Sequence, residues 1–295
     1  MKLFKGIYPA VVTPFTRGGE TIDAAALRGL IDYLIREGVH GLFPAGTTGE
    51  GISLTVAERK QMIDVVLDAA DGRVPVIFHC SANHYKEIIE VCRHAQAAGA
   101  AGVAVLPPWY YACDAETILQ HIQPVADAVP ELPVFVYNIP SRTGNAMTLD
   151  ILSELKQRCP NLAGIKESGC YENLEQWVTL QDERFTVFNG MDDKELAAYR
   201  LGVRAMVASF ANLLPATFAA FHEAASREHW ELAEACQARI CELIPIIDSP
   251  VQIANIKAAL RMKGLPSGAM RPPLRELRQE EEEFLQEELK KVLFL

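Results

Sequence analysis

The sequence predicts an α/β fold, a (β/α)8 barrel of the TIM type with a C-terminal helical extension. Three observations lead there. Short apolar runs alternate with helical stretches eight times within about 225 residues, the spacing of a barrel built from strand–helix units. The runs are rich in Val, Ile and Leu without strict polar alternation, as expected of parallel strands buried on both faces. No Gly-rich phosphate fingerprint follows the first run, which passes into Val12-Thr13-Pro14-Phe15. A doubly wound open sheet would be expected to show one.

The first unit pairs an apolar run at 7–12 with a helix at 24–36. The second pairs 41–45 with 56–70, and Thr55-Val56-Ala57-Glu58 supplies a capping box at that helix start. The third pairs 74–80 with 84–98, the fourth 102–106 with 115–128, and the fifth 133–137 with 149–157. The sixth pairs 162–166 with 172–181, the seventh 185–189 with 193–201, and the eighth 203–208 with 215–225. Beyond residue 228 the pattern is helical only, at 230–247, 250–263 and 274–292. The acidic run Glu280-Glu281-Glu282-Glu283 in the last stretch reads as a solvated face. The expected division is a catalytic barrel over 1–226, with helices over 227–295 packed on it.

Composition narrows the function classes. The chain has 295 residues, 49% apolar and 22% charged, an ordinary globular balance. A net charge of −10 and a pI near 5.3 argue against a nucleic-acid partner. No apolar run approaches the ~18 residues that cross a bilayer. Met1-Lys2-Leu3-Phe4-Lys5-Gly6 lacks a leader's apolar core and cleavage site, so a cytoplasmic location is expected. Seven cysteines lie scattered at 80, 92, 113, 159, 170, 236 and 241, with no Cys-x-x-Cys. Neither a disulfide framework nor a zinc ribbon is expected, and most should be small buried apolar residues. The histidines at 40, 79, 84, 94, 121, 222 and 229 show no metal-ligand spacing, so no metal is expected.

Chemistry-bearing residues gather where the predicted strands end, the face on which such barrels carry their active sites. In Leu162-Ala163-Gly164-Ile165-Lys166-Glu167, an apolar run ends on a lysine. Apolar walls disfavour the charged form, and a neutral amine can form a Schiff base with a carbonyl. A lysine at a strand end can also simply reach water. Gly46-Thr47-Thr48-Gly49 offers backbone N–H groups and hydroxyls to an anion, although it also suits an ordinary βα turn. Tyr137 could relay a proton or rest on a backbone carbonyl. Arg142 could fork onto a carboxylate or form a surface ion pair. Trp109, Tyr110 and Tyr111 suggest a contact surface or a pocket wall. Asp192 could cap the next helix, or with Asp193 grip vicinal hydroxyls.

Gly46-Thr47-Thr48-Gly49-Glu50, Tyr137-Asn138-Ile139-Pro140-Ser141-Arg142-Thr143-Gly144 and Gly164-Ile165-Lys166-Glu167 occur together in this order. Through them the chain resembles the dihydrodipicolinate synthase / N-acetylneuraminate lyase family of class I aldolases over nearly its whole length. The resemblance implies that Lys166 forms an imine with pyruvate, with no separate cofactor. It implies that Thr47 and Thr48 hold the carboxylate and that Tyr137 shuttles protons. Thr47 and Tyr110 would complete the relay, Tyr110 serving the neighbouring subunit of a homotetramer, a dimer of dimers. Gly46, Gly190 and Val207 complete the implied substrate-binding set with Arg142, Asp192 and Asp193. Arg142 matches the synthase branch, which joins pyruvate to aspartate semialdehyde. His79, Trp109-Tyr110-Tyr111-Ala112 and Asp192-Asp193 are nearer the lyases, which act on N-acetylneuraminate or 2-keto-3-deoxy sugar acids. The implied partners are a small keto acid and an aldehyde. A keto-acid-binding sensor is the non-enzymatic alternative, and Lys166 and Tyr137 weigh against it.

Overall fold

In Val134-Phe135-Val136-Tyr137 alternate side chains take opposite destinations, as strand geometry dictates. Val134 and Val136 join the layer between sheet and helices, whereas Phe135 and Tyr137 point into the ring. The computed structural model describes residues 4–293, the side chain of Leu293 excepted. Residues 1–3 and 294–295, the outer ends of the two expected domains, lie outside the described residues.

The strands are β1 (Gly6–Pro9), β2 (Ile77–His79), β3 (Gly102–Val105), β4 (Val134–Asn138), β5 (Leu162–Glu167), β6 (Thr186–Asn189) and β7 (Ala205–Ala208). All pair in parallel, in the order β1-β7-β6-β5-β4-β3-β2. Within 41–45, expected as a further strand, residues 42–43 bridge the gap between β1 and β2 and close the ring. On one side the Phe43 N–H donates to Pro9 O at 2.9 Å. On the other, the Leu42 N–H donates to Pro75 O and the Ile77 N–H to Leu42 O, both at 3.0 Å. A regular ladder does not form, because Pro9, Pro44 and Pro75 lack an N–H. Only the Leu42–Val76 bridge is complete.

The helices Ala24–Arg36, Val56–Ala70 and Ala115–Ala128 match their expected bounds. The Thr55 capping box is present, with Glu58 N–H donating to Thr55 Oγ1 at 3.2 Å and Thr55 N–H to Glu58 at 2.9 Å. Elsewhere the expectations need correction. The stretch 172–181 tightens after Trp177 into a 3-10 turn, Val178–Leu180. The stretch 230–247 divides into Trp230–Cys241 and Ile244–Ile247, because Pro245 cannot continue the first helix. The last helix starts at Gln279, five residues later than 274. There Glu281 accepts the Arg278 N–H at 2.7 Å, half of a capping box. Cys80, Cys92, Cys159 and Cys236 are buried, as small apolar residues should be, whereas Cys170 is exposed.

Two features position the site. Helix Gln252–Met262 is tied to the barrel by the ion pair of Lys257 with Glu50, both side chains fully buried. Lys257 Nζ also donates to Ala269 O at 2.7 Å, and Glu50 accepts the Arg271 N–H at 3.1 Å. Burial holds the Lys257 pKa below the ordinary lysine value, with Glu50 opposing. The second feature is a bulge. Val134 and Phe135 of β4 face Leu162 and Gly164, so β5 carries one extra residue. Ala163 points into the ring and Ile165 outward. The bulge resets the alternation, and Lys166 joins Tyr137 on the inner face. Only glycine fits at 164, since a Cβ would lie 1.9 Å from Thr186 O.

Candidate active site

Ladder register places Lys166 opposite Tyr137 at the strand ends. The lysine is 5% exposed. Its Nζ lies 3.7 Å from the Tyr137 ring centroid and 5.6 Å from that of Phe43. It donates to Ser168 Oγ at 3.0 Å, and Ser168 donates to Gly190 O at 3.3 Å. The Tyr137 hydroxyl lies 3.3 Å from Thr47 Oγ1, not on a backbone carbonyl. Burial pushes the Tyr137 phenol up. The charge of Lys166 and hydrogen bonds to Lys166, Thr47 and Ser168 outweigh it and hold the phenol below 10. Such a phenol is suited to giving and taking a proton.

The loop after residue 45 works differently from its sequence reading. Left-handed backbone falls on Ala45 (φ 59°) and Glu50 (φ 54°), not on the glycines. Gly51 instead permits a close approach, since a Cβ there would lie 1.7 Å from Ala45 O. The N–H groups of Thr47 and Thr48 donate to no acceptor among the described residues, and both residues line the cavity. Unpaired donors beside a lysine favour an anion. Buried Arg59 braces the loop, donating to Gly51 O at 2.7 Å, to Leu54 O at 3.2 Å and to Ser81 O. His79 bonds Ala45 O at 2.8 Å, and burial, then Arg59, pushes its pKa down to about 3.

The turn after Lys166 is held by Glu167, which the sequence reading did not single out. Its fully buried carboxylate accepts from Asn138 Nδ2 at 2.8 Å, and from Gly169 N–H and Trp177 Nε1 at 2.6 Å. On the neighbouring strand end, Gly190 cannot be replaced without movement. A Cβ there would lie 2.0 Å from Ser168 Oγ and 3.0 Å from Lys166 Cε.

These groups open on a cavity of about 490 Å³. Lys166, Tyr137, Thr47, Thr48 and Arg142 line it, and so do Gly190, Asp192, Asp193 and Val207. Two expected site residues do not. Gly46 is folded behind the loop, where its carbonyl accepts the Gly51 N–H at 3.1 Å. Tyr110 does not line its own chain's cavity and is 86% exposed, with φ 78°. Arg142 is exposed and makes no ion pair among the described residues. Asp192 does not cap the following helix. It accepts from Ser209 Oγ at 2.7 Å, Phe210 N–H at 3.2 Å and Ser209 N–H at 3.3 Å, tying the β6 and β7 loops together. Burial raises its pKa, opposed by these hydrogen bonds and by Lys166. Asp193 is exposed and paired with Lys194 at 2.9 Å.

Among the lining residues that the sequence reading missed are Ser168, Ser209, Asp248 and Gln252. Ser168 was findable, two positions after the lysine at the same strand end. Asp248 and Gln252 come from the C-terminal helical region, where no pattern ties them to the barrel mouth. Among the described residues, no group of three or more His, Cys, Asp or Glu could hold a metal ion. No helix there is long and apolar enough to cross a membrane.

Residues 3–292 match the model of the dihydrodipicolinate synthetase family. The 4-hydroxy-tetrahydrodipicolinate synthase of Methanospirillum hungatei JF-1 is 34% identical over 290 residues, 97% of this chain and 99% of that one. The fold matches wild-type sialic acid aldolase of Ruminococcus gnavus at a TM-score of 0.93 and 27% identity, covering 99% of this chain and 97% of the other. It matches YagE of E. coli K12, a prophage protein of the dihydrodipicolinic acid synthase family solved with pyruvate, at a TM-score of 0.93 and 30% identity. That match covers 99% of this chain and all of the other.

Proposed function

The chain belongs to the dihydrodipicolinate synthetase family of class I aldolases, and we propose that it condenses pyruvate with aspartate semialdehyde through an imine on Lys166. The observation that carries this reading is the meeting of Lys166, Tyr137 and Thr47 in one cavity, with an unpaired Arg142 at its rim.

The Lys166 amine gives up a proton and adds to the keto carbon of pyruvate, and the carbinolamine loses water to give a protonated imine. The Thr47 and Thr48 N–H groups hold the pyruvate carboxylate. The Tyr137–Thr47 relay takes up a methyl proton, and the electron pair flows into the imine, which acts as the sink without a separate cofactor. The enamine carbon then attacks the aldehyde carbon, and Tyr137, in relay with Thr47, delivers a proton to the aldehyde oxygen. Attack on the imine carbon by an amine or by water frees Lys166. Arg142 holds the aldehyde's own carboxylate.

Tyr110 and Tyr111, 86% and 74% exposed, together with half-exposed Ile52, suit burial against a second copy of the chain. There Tyr110 would extend the neighbour's relay within a homotetramer. The left-handed backbone at Tyr110 supports a functional placement, since such strain gathers at sites. The free cysteines fit work in the reducing cytoplasm.

Borohydride reduction in the presence of pyruvate tests the central claim. It should add one pyruvate-derived mass at Lys166, and Lys166→Ala should abolish labelling. Labelling at another lysine would overturn the assignment. A second reading, cleavage of a keto-sugar acid, is favoured by Asp192, Asp193 and Ser209 on the facing wall. Arg142→Ala separates the two. It should lower kcat/KM for aspartate semialdehyde about 10–100-fold, the weight of a charged hydrogen bond. Cleavage of a sugar acid under control of the aspartates would favour the second reading.

A further inference from the structure

Five charged side chains line the Lys166 cavity: Arg142, Lys166, Asp192, Asp193 and Asp248. Three of them are committed. Lys166 carries the imine. Asp192 already accepts three hydrogen bonds from Ser209 and Phe210, of the roughly four its two oxygens can take. Asp193 is neutralised by Lys194. Arg142 and Asp248 remain, and neither has an ion-pair partner among the described residues. The Asp248 carboxylate accepts only a 3.4 Å bond from Gln252, which also lines the cavity. Arg142 stands in the short helix Pro140–Thr143 after β4, and Asp248 directly follows helix Ile244–Ile247. Both are exposed at the rim.

One free cation and one free anion on the rim of one cavity call for a ligand that carries both charges. We propose that Arg142 and Asp248 together recognise a zwitterionic aldehyde, a 2-amino acid semialdehyde, with Asp248 binding its ammonium group while Arg142 holds its carboxylate. This deepens the function proposed above and rests on it. A 2-amino acid carries both charges on one carbon, so a single ligand meets both residues. A neutral sugar aldehyde offers neither charge. An aldehyde bearing only a carboxylate would bring a like charge toward Asp248 with nothing to offset it. The C-terminal helices thereby gain a part in substrate choice, because Asp248 lies among them.

Succinate semialdehyde differs from aspartate semialdehyde only in lacking the amino group, and the Asp248 variants separate the binding of that group from its part in product release. Pyruvate consumption should be measured with each aldehyde on the full chain, for wild type, Asp248→Asn and Asp248→Ser. Borohydride trapping of pyruvate at Lys166 verifies in each case that the site has folded. The wild type should favour aspartate semialdehyde by about 10–100-fold in kcat/KM, the weight of a charged hydrogen bond. Both variants should compress that ratio to within about threefold. A ratio that survives in both variants, or a wild type without preference, would overturn the inference while leaving the condensation reading intact. Trapping at Lys166 without turnover of either aldehyde would remove that reading, and the inference with it.

Discussion

Replacing Lys257 by methionine should destabilise the whole molecule and loosen its pyruvate site together. Lys257 and Glu50 are fully buried and bonded to each other. Methionine fills similar volume but leaves the Glu50 carboxylate with the Arg271 N–H and no cation. Breaking a buried pair from one side costs about 3–5 kcal/mol. At about 2.1 cal/mol/K per residue, the unfolding entropy of 295 residues is about 0.6 kcal/mol/K. The melting temperature should therefore fall by about 5–8 °C. The double variant Glu50→Gln with Lys257→Met removes both charges and should be no worse than either single change. Thermal scans at one protein concentration and one heating rate measure all four proteins. Glu50 also ends the loop that carries Thr47 and Thr48, so the KM for pyruvate should rise in Lys257→Met. A melting temperature within 2 °C of wild type, or a double variant as damaging as the two singles added, would refute the reasoning.

Three further outcomes are expected. Tyr137→Phe should cut kcat by about 10²–10⁴-fold with a much smaller change in the KM for pyruvate, and an unchanged kcat would exclude the relay. Gly190→Ala should slow imine formation in rapid trapping experiments, because its Cβ displaces Ser168 and crowds Lys166 Cε; a rate equal to wild type would remove that constraint. Burial, then His40, pushes the pKa of His222 down to about 4, against 6.5 in the unfolded chain. The neutral ring is therefore the folded form. Its contribution is complete above pH 6.5 and is lost as pH falls toward 4, by up to about 1.4 kcal/mol per unit. His222→Gln should flatten the acid side of a denaturant-measured stability profile, and an unchanged slope would refute this account.

Legibility in the sequence followed the range of the forces involved. Helices such as Val56–Ala70 were readable because capping and apolar spacing are local. The break at Pro245 was equally local and was overlooked. The strand at 41–45 was readable as an apolar run but not as an irregular one, because its ladder depends on Pro9 and Pro75, far along the chain. Lys166 and Tyr137 stood out because each ends an apolar run. Asp248 did not, because its place at the mouth depends on how the C-terminal helices return to the barrel, through Lys257 and Glu50. Gly46 shows the opposite error: the motif was visible, yet its glycines serve close packing more than ligand contact. Glu167 was in plain view beside the lysine, but its partners Asn138 and Trp177 are joined to it only by the fold.

The extra residue in β5 makes the chemistry depend on parity. Between Ala163 and Lys166 the inner face is reached in three steps, where a regular strand takes two or four. Deleting one residue in this interval would send the amine outward among the helices, although every catalytic side chain would still be encoded. This six-residue strand cannot change its count. Hybrid chains built from two such barrels should therefore exchange sequence outside 162–167. A lysine grafted onto a bulge-free strand of another barrel must be moved by one position to meet its tyrosine.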